Sequence, residues 1–358
     1  MRFGFMDHLP CAEWQSEVQR YHDILAQIEL GDALGFATAW LAEIHFFPNV
    51  SRLASPLTVL AAAAQRTQRI RLGTAVTLLP LHNPLKIAEE AATVDILSGG
   101  RLELGVGRGA APSFFAAYNV PVEESRERFE EALTVIRQAW TSERLSYQGK
   151  YLRVQDLPVV PRPVQKPYPP LRIAANSPDT YTIAGRLGLP IFATPLIAGS
   201  MDKLREYIGA HRESLPAGVK QDVAVAFPVH VAASRAQARR ECEASLMHFF
   251  SFLEQRRPDI QALPESYQAF QKAVDRLKGI TYEEVENLGG VFGDPEYCAE
   301  RVQALEQEFQ MNEFICYFNQ GGLIDHAAVR RSMEMFAREV IPRCRSDENQ
   351  QPARRRKL

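Results

Sequence analysis

The sequence predicts an α/β protein, a (β/α)8 TIM barrel with insertions, formed as a single domain over residues 1–345. Three observations support this fold class. Short apolar segments alternate with segments of helical spacing along the chain. The short segments are apolar on both faces, as parallel strands covered by helices are. A chain of 358 residues with 46% hydrophobic content can also bury a core of this size. A doubly wound sheet is the alternative.

Eight segments are predicted as strands: Arg2–Phe5, Thr38–Ala42, Ile70–Leu78, Leu102–Val106, Leu171–Ala174, Ile191–Ala193, Val223–Ala232 and Glu313–Phe318. Helices are predicted over Tyr21–Leu34, from Pro84, and over Glu123–Trp140, Met201–Glu213 and Ala327–Val340. Gly35 ends the first helix, because glycine adopts left-handed φ at low cost. Asn83 and Pro84 suit the cap and the first position of the next helix, which Gly99 and Gly100 end.

Three segments interrupt this alternation. Residues 147–154 are predicted to form a small hairpin, and the proline-rich run 158–170 cannot be helical. Residues 235–290 are too long for one crossover and are predicted to be an insertion that serves as a lid or a partner surface. The polar tail 346–358 is predicted to be disordered.

Composition excludes several classes of function. The net charge of −2 gives no basic field for nucleic acid or an anionic membrane. The longest apolar run, 57–64, is far too short to span a bilayer, and the N-terminus lacks a signal-peptide pattern. Five scattered cysteines without a CxxC pair indicate reduced thiols, which predicts a cytoplasmic protein without a zinc or disulfide framework.

The segment 102–109 gives the first indication of a ligand. Glu103, Gly105 and Gly107 alternate with larger apolar residues and are expected to point into the barrel, where the two glycines leave space. Arg108 follows at the rim. A cation beside backbone amides suits a phosphate-bearing ligand. The alternative is a glycine-rich strand end with a surface arginine, and the GxGxG string lacks the spacing of a dinucleotide fingerprint.

The tip of the fifth strand gives the second indication. Asn176 and Ser177 precede a helix start at Pro178, and Thr180 lies in the first turn. Free amides, two hydroxyls and the helix dipole favour an anion, and Arg108 from the adjacent strand adds to this preference. An ordinary N-cap at Ser177, with no ligand, is the alternative.

Histidines at neighbouring tips are the candidates for proton transfer. His45 follows Glu43 at a spacing of two, so both side chains point to one face while a strand persists. A carboxylate can orient an imidazole for acid–base chemistry near neutral pH. A structural ion pair is the alternative, and His8 and His82 have equally simple structural explanations. The sequence contains no metal-binding histidine motif, so no metal site is predicted.

The motifs in their order resemble those of the bacterial luciferase-like monooxygenases, from Met1 to about Pro342. The matching segments are Trp40–Phe46, Gly73–Val76, Ala88–Glu90, Asp95–Arg101, Gly105–Gly109, Tyr147–Tyr151 and Phe336–Pro342. The resemblance implies a barrel that binds reduced FMN (FMNH2). This flavin would react with O2 to give a C4a-peroxyflavin that oxygenates a small organic substrate. It also implies a separate flavin reductase and a homodimer.

The resemblance also implies roles for individual residues. Thr74 and Ala75 would pack against the flavin ring, Gly107 would lie near its reactive face, and Arg108, Ser177 and Thr180 would hold the phosphate. Luciferases have a catalytic histidine at the position of Ile44, so the surviving His45, oriented by Glu43, becomes the hypothetical acid–base group. The alternatives are an F420-dependent oxidoreductase of the same superfamily and a non-catalytic flavin-binding subunit.

Overall fold

A closed barrel of eight parallel strands forms the centre of the molecule, which confirms the predicted (β/α)8 architecture. The computed structural model describes residues 1–109, 111–254 and 265–345. The predicted disorder of 346–358 and part of the 235–290 insertion lie outside these ranges. Because β9 and β12 both pair with β10, and β12 also pairs with β1, the sheet closes on itself. Closure rules out an open, doubly wound sheet.

The strands of the described ranges are β1 Arg2–Asp7, β2 Thr38–Leu41, β3 Arg71–Thr74, β4 Thr77–Leu78, β5 Leu102–Gly107, β6 Leu145–Gln148, β7 Arg153–Leu157, β8 Leu171–Ala174, β9 Ile191–Ala193, β10 Val223–Val231, β11 Val291–Gly293 and β12 Glu313–Tyr317. Around the barrel the order is β1, β2, β3 with β4, β5, β8, β9, β10 and β12. β6 and β7 form the predicted hairpin, and β11 extends the far end of β10.

The helices of the described ranges are α1 Glu17–Leu34, α2 Pro56–Ala64, α3 Pro84–Leu97, α4 Pro112–Ala117, α5 Ser125–Thr141, α6 Pro178–Arg186, α7 Pro195–Ala198, α8 Met201–Glu213, α9 Arg235–Glu254, α10 Glu265–Asp275, α11 Tyr282–Asn287, α12 Pro295–Phe309, α13 His326–Met335 and α14 Ile341–Arg345. Short 3-10 turns lie at 79–81 and 122–124, and a π-helical turn at 336–340 joins the last two helices.

Local sequence signals set several of these boundaries as expected. Gly35 ends α1 with φ 82°, in the left-handed region. Asn83 Oδ1 accepts a hydrogen bond from the N–H of Leu85 at 2.9 Å, and Pro84 opens α3. Helix α2 was not predicted from the sequence, because its run of alanine and leucine is apolar at almost every position and shows no helical period.

The predicted strand 70–78 is interrupted, which is a correction to the sequence analysis. β3 ends at Thr74, the Ala75–Val76 peptide bond is cis, and β4 resumes at Thr77. The space expected at Gly105 is filled: a Cβ there would lie 1.9 Å from the carbonyl oxygen of Thr74. Glycine is therefore required by the close approach of β3 to β5, and the cavity begins above this level.

The core consists of two layers separated by the strands. Leu102, Leu104 and Val106 face outward and pack under the helices, as predicted for this strand. Inside the barrel, Trp40 donates from Nε1 to the buried carboxylate of Glu313 at 2.9 Å. These contacts fill the interior of the lower barrel, and a cavity lies above them at the carboxyl ends of the strands.

Substitution of Gly105 by alanine should destabilise the fold by about 1–3 kcal/mol, because the added methyl group overlaps a backbone carbonyl that cannot rotate away. Gly209 in α8 is a matched control, since a Cβ there meets nothing within 4 Å. Gly209→Ala should leave stability unchanged or raise it by up to about 1 kcal/mol. Urea unfolding of both variants checks this. Equal stability of Gly105→Ala and the wild type would contradict the close approach.

Candidate active site

A cavity of about 960 Å³ opens at the carboxyl ends of the barrel strands. Its walls come from the strand tips and from helices α5, α6, α9 and α10. Apolar and aromatic side chains predominate, and the charged groups gather where α5 and α6 approach the rim. A cavity of this size accommodates a cofactor and a small substrate together.

The residues predicted from the sequence to bind an anion lie at the tips of β5 and β8. Arg108, Asn176, Ser177 and Thr180 all border the cavity. The guanidinium of Arg108 lies 4.7 Å from the ring centroid of Tyr267, on α10. Burial lowers the pKa of Arg108. An arginine that remains charged in a partly desolvated place favours an anionic partner.

Ser177 does not cap its helix through its side chain, which is a correction to the expected N-cap. It occupies the N-cap position, but its Oγ lies 2.9 Å from the hydroxyl of Thr180. The side chain of Ser177 therefore leaves the amide groups at the start of α6 to other acceptors. Two paired hydroxyls beside a helix N-terminus are a suitable set of donors for a phosphate.

Two of the three residues expected beside a flavin ring border the cavity. Ala75 and Gly107 do so, whereas Thr74 is fully buried and its Oγ1 donates to the carbonyl oxygen of Gly105 at 2.7 Å. A Cβ on Gly107 would lie 2.4 Å from Cγ2 of Val76. Gly107 is thus required by its neighbour in the wall, and Thr74 acts by fixing the wall rather than by touching a ligand.

Glu43 is the centre of a buried hydrogen-bond network at the tip of β2. Its Oε1 accepts from Nε2 of His45 and from Nε2 of His82, each at 2.7 Å. Its Oε2 accepts from the N–H of Leu78 at 3.0 Å. Nδ1 of His45 lies 3.2 Å from the hydroxyl of Tyr118, so that the network runs from Tyr118 to His82. The predicted pairing of Glu43 with His45 is present in the structure.

Glu43 and His82 shift each other's pKa. Burial raises the pKa of Glu43, but the hydrogen bonds from His45 and His82 outweigh it and hold that pKa below its ordinary value. Burial lowers the pKa of His82, but the hydrogen bond and charge of Glu43 raise it above its ordinary value. Glu43 is therefore ionised at neutral pH, in direct contact with the cavity.

His45 lies behind Glu43 rather than in the cavity wall. Its ring contacts Phe46, Phe114 and Tyr118, with centroids 5.1–5.7 Å away, and it is 4% exposed. Glu43 and Ile44 border the cavity in its place. Sequence spacing placed Glu43 and His45 on one face, but β2 ends at Leu41, so the alternation no longer holds at the tip.

Glu43, His45 and His82 also form the one group in the described ranges whose ligand atoms lie within 4.8 Å of one another, as a metal site requires. Their geometry is that of hydrogen bonds, because both nitrogens lie at hydrogen-bond distance from the same carboxylate oxygen. A metal ion would have to displace both protons.

Sequence reasoning missed three arginines of the cavity wall, Arg126 and Arg137 on α5 and Arg186 on α6. Arg126, Glu130, Thr134 and Arg137 recur at helical spacing and share the face that borders the cavity. This polar stripe was the available signal. All five cysteines are free thiols. Within the described ranges, no helix has the length and hydropathy needed to cross a membrane.

The Glu43–His82 contact should make stability depend on pH in a defined window. A raised histidine pKa contributes stability that is complete below 6.5 and is lost as the pH rises through the raised value. A lowered carboxyl pKa contributes above 4.5 and is lost as the pH falls through the lowered value. The loss of stability in His82→Gln should therefore be greatest between these pH values, at about 1 kcal/mol.

Urea unfolding of the wild type and His82→Gln from pH 4 to pH 9 measures this difference. His22→Gln is the matched control, because His22 is exposed and should show no such maximum. A stability difference for His82→Gln that stays constant or grows above pH 8 would contradict the assigned contact.

Comparison with known proteins identifies the family of this chain. Residues 1–310 match the family described as luciferase-like monooxygenase. Limonene 1,2-monooxygenase of Rhodococcus erythropolis is 30% identical over 340 residues, which are 91% of this chain and 82% of that protein. The 4-hydroxyprotoasukamycin monooxygenase of Streptomyces nodosus subsp. asukaensis is 30% identical over 325 residues, covering 87% and 84%.

Other relatives match in part. Two uncharacterized proteins of Sinorhizobium fredii are 39% and 37% identical, and the chain spans 52% of the length of each. An F420-dependent glucose-6-phosphate dehydrogenase of Intrasporangium calvum is 32% identical over 186 residues, which are 49% of this chain and 55% of that protein. Monooxygenases and an F420-dependent enzyme are therefore both among the relatives.

Solved structures show the same fold. A monooxygenase from Streptomyces bottropensis has a TM-score of 0.78 and 27% identity, covering 96% of this chain and 99% of that one. The oxygenating constituent of 3,6-diketocamphane monooxygenase from Pseudomonas putida, in complex with FMN, has a TM-score of 0.80 and 19% identity, covering 96% and 98%. The relatives above that are named as monooxygenases are oxidoreductases. The chain belongs to the luciferase-like monooxygenase family.

Proposed function

We propose that the protein is a monooxygenase that uses reduced FMN and O2 to oxygenate a small organic molecule. One observation carries this proposal: a rim with one arginine, two hydroxyls and a helix N-terminus opens directly onto a largely apolar cavity. A phosphate would bind at the rim, and an aromatic ring system would lie in the apolar cavity. The relatives named as monooxygenases support the same reaction class.

The residues present fit FMN. Arg108, Ser177 and Thr180 would hold its phosphate, with Asn176 beside them, because Ser177 leaves the amides of α6 without a side-chain cap. Ala75 and Gly107 would face its ring, since both border the cavity and neither projects a large side chain. When bound, reduced FMN supplies the electrons that activate O2.

The chain contributes the surroundings of this chemistry. Phe249 of α9, Tyr267 and Val274 of α10 and Leu277 just after it line the cavity, so the insertion would exclude water from it as a lid does. Glu43 is an ionised group that borders the cavity, and we propose that it holds or moves a proton there. His45 acts through Glu43 as a positioning residue, with its Nε2 on the carboxylate and its Nδ1 facing Tyr118.

We also propose the partners that the family resemblance implied. Reduced FMN would come from a separate flavin reductase, and two copies of the chain would associate as a homodimer in the cytoplasm.

A second candidate function is supported by a separate observation. Arg126, Arg137 and Arg186 line the cavity beyond Arg108 and exceed what the single phosphate of FMN requires. The deazaflavin F420 carries carboxylates beyond its phosphate, and an F420-dependent enzyme is among the partial relatives. An F420-dependent oxidoreductase would transfer hydride and would not use O2.

Arg108→Gln should weaken FMN binding by about 10–100-fold, because it removes a charge-assisted contact to the phosphate. Riboflavin has the same ring without the phosphate, so its affinity should change by less than about twofold. Arg144→Gln is the control, since Arg144 lies exposed on the β6–β7 hairpin and pairs with Asp156. Fluorescence titration measures all these affinities.

The same titration with F420 separates the two candidate functions. The proposal predicts that FMN binds more tightly than F420. Tighter binding of F420 than of FMN would contradict the proposal. It would select the second function if Arg137→Gln also weakened the binding of F420 and left the binding of FMN unchanged. Equal loss of riboflavin and FMN in Arg108→Gln would show that Arg108 does not contact the phosphate.

His45→Ala should change the rate at which bound reduced FMN is oxidised by O2 by about tenfold and should shift its pH dependence to higher pH, because Glu43 loses a hydrogen bond that lowers its pKa. His45→Gln retains a donor for Glu43 and should restore most of the rate and of its pH dependence. Stopped-flow absorbance measures both, and FMN affinity should stay unchanged. A His45→Ala profile identical to that of the wild type would remove His45 from the proposal.

A further inference from the structure

Three residues that border the cavity at the tips of β1 and β12 each carry a buried polar atom without a side-chain hydrogen-bond partner among the described residues. These atoms are Nδ1 of His8, the hydroxyl of Tyr317 and Oε1 of Gln320. Tyr317 is 6% exposed and Gln320 is 5% exposed. A buried polar group without a partner costs about 1–3 kcal/mol, so three in one place call for a ligand that satisfies them.

The positions of these side chains are fixed by their surroundings. The ring centroids of His8 and Tyr317 lie 4.8 Å apart. The backbone oxygen of Gln320 accepts a hydrogen bond from Oγ of Ser245 on α9 at 2.7 Å. A Cβ on Gly321 would lie 1.7 Å from the carbonyl oxygen of Ser245, so this loop packs directly on the helix. The unpaired atoms therefore belong to an ordered part of the wall.

This side of the cavity carries no net charge from its neighbours. The carboxylate of Asp7 accepts hydrogen bonds from Arg20 and from the N–H of Leu9, and it is 3% exposed. Burial lowers the pKa of His8 to about 4, so its imidazole is neutral at pH 7. A neutral imidazole offers one donor and one acceptor, which suits an uncharged partner.

The three atoms lie across the barrel from the proposed phosphate site. In the closed order of strands, β12 and β1 stand three or four places from β5 and β8, whose tips precede Arg108 and Ser177. The nearby walls are apolar and aromatic, with Phe249 and Phe252 of α9 and Ile315 of β12. A cofactor anchored at β5 and β8 would thus leave this side for the substrate.

We propose that His8, Tyr317 and Gln320 form a hydroxyl site that orients a neutral, mainly apolar substrate by its hydroxyl group. The hydroxyl donates to Oε1 of Gln320 and accepts from Tyr317 or His8, a combination that neither a hydrocarbon nor a carboxylate provides. The identification of the ligand as a substrate rests on the proposed function. The binding of a hydroxyl group at this site does not depend on the proposed function.

Binding of three matched probes to the protein without flavin, in a buffer whose inorganic phosphate occupies the anion-binding rim, tests this inference. 4-Fluorophenol, 4-fluorotoluene and 4-fluorobenzoate differ only in the polar group, and ¹⁹F NMR titration measures the affinity of each. The wild type should bind 4-fluorophenol about tenfold more tightly than the other two. Tyr317→Phe and Gln320→Met should each reduce this preference by about threefold or more and leave 4-fluorotoluene binding unchanged.

Tyr181→Phe is the matched control, because it also removes a buried hydroxyl but does not border the cavity. It should keep the full preference. Four results would each overturn the hydroxyl site. They are equal binding of 4-fluorophenol and 4-fluorotoluene, tightest binding of 4-fluorobenzoate, no binding of any probe, and a preference for 4-fluorophenol that survives in both Tyr317→Phe and Gln320→Met. Thermal melting of the variants verifies that they fold.

FMN titration of the same samples keeps the two proposals apart. A protein that prefers 4-fluorophenol but does not bind FMN retains the hydroxyl site and loses the proposed function. A protein that binds FMN without the preference loses only the hydroxyl site.

Discussion

The cavity depends on the contact between β3 and β5, where the carbonyl oxygen of Thr74 occupies the space that a side chain at residue 105 would need. Glycine at 105 permits this approach, and the hydroxyl of Thr74 fastens it through the Gly105 carbonyl. β3 then stops and the chain resumes as β4, paired with β5. This break leaves Ala75 in the cavity wall and brings the N–H of Leu78 to Glu43. One backbone contact thus sets both the ring-facing wall and the carboxylate.

Around this contact the cavity divides into regions of different chemistry. Positive charge and hydroxyls gather at β5 and β8, where the apolar walls give way to the N-terminus of α6. The ionised Glu43 lies at β2, buried but neutralised in part by His82. The tips of β12 and β1 carry no net charge, because Arg20 pairs with Asp7, and they hold buried polar atoms without side-chain partners. An anionic cofactor and a neutral substrate would be sorted to opposite sides by electrostatics and desolvation alone.

Much of this arrangement was predictable from the sequence, because it follows from local rules. The alternation of apolar and helical segments gave the barrel, and the barrel placed Arg108, Ser177 and Thr180 at adjacent strand tips. The side-chain partners were not predictable. A serine before Pro178 is as compatible with a side-chain N-cap as with the observed hydrogen bond between Ser177 and Thr180. His82 joins Glu43 across 39 positions, which no spacing rule relates.

The orientation of His45 shows the same limit. A period of two predicts that it shares a face with Glu43, and the two do meet, yet the strand ends before them and the tip turns the imidazole into the aromatic cluster. The three arginines of α5 and α6 were missed for a different reason. A charged stripe on an outer helix usually faces solvent, and only the closed barrel reveals that this stripe faces a cavity.

Oxygen activation is the central claim, and rapid mixing tests it most directly. The protein is loaded anaerobically with reduced FMN and mixed with oxygenated buffer while the flavin absorbance is recorded. The account predicts oxidation slower than that of free reduced FMN, through a spectrum that belongs to neither reduced nor oxidised flavin. Immediate oxidation at the rate of free FMN, with one hydrogen peroxide released per flavin, would contradict it and would favour an F420-dependent enzyme or a non-catalytic flavin-binding subunit.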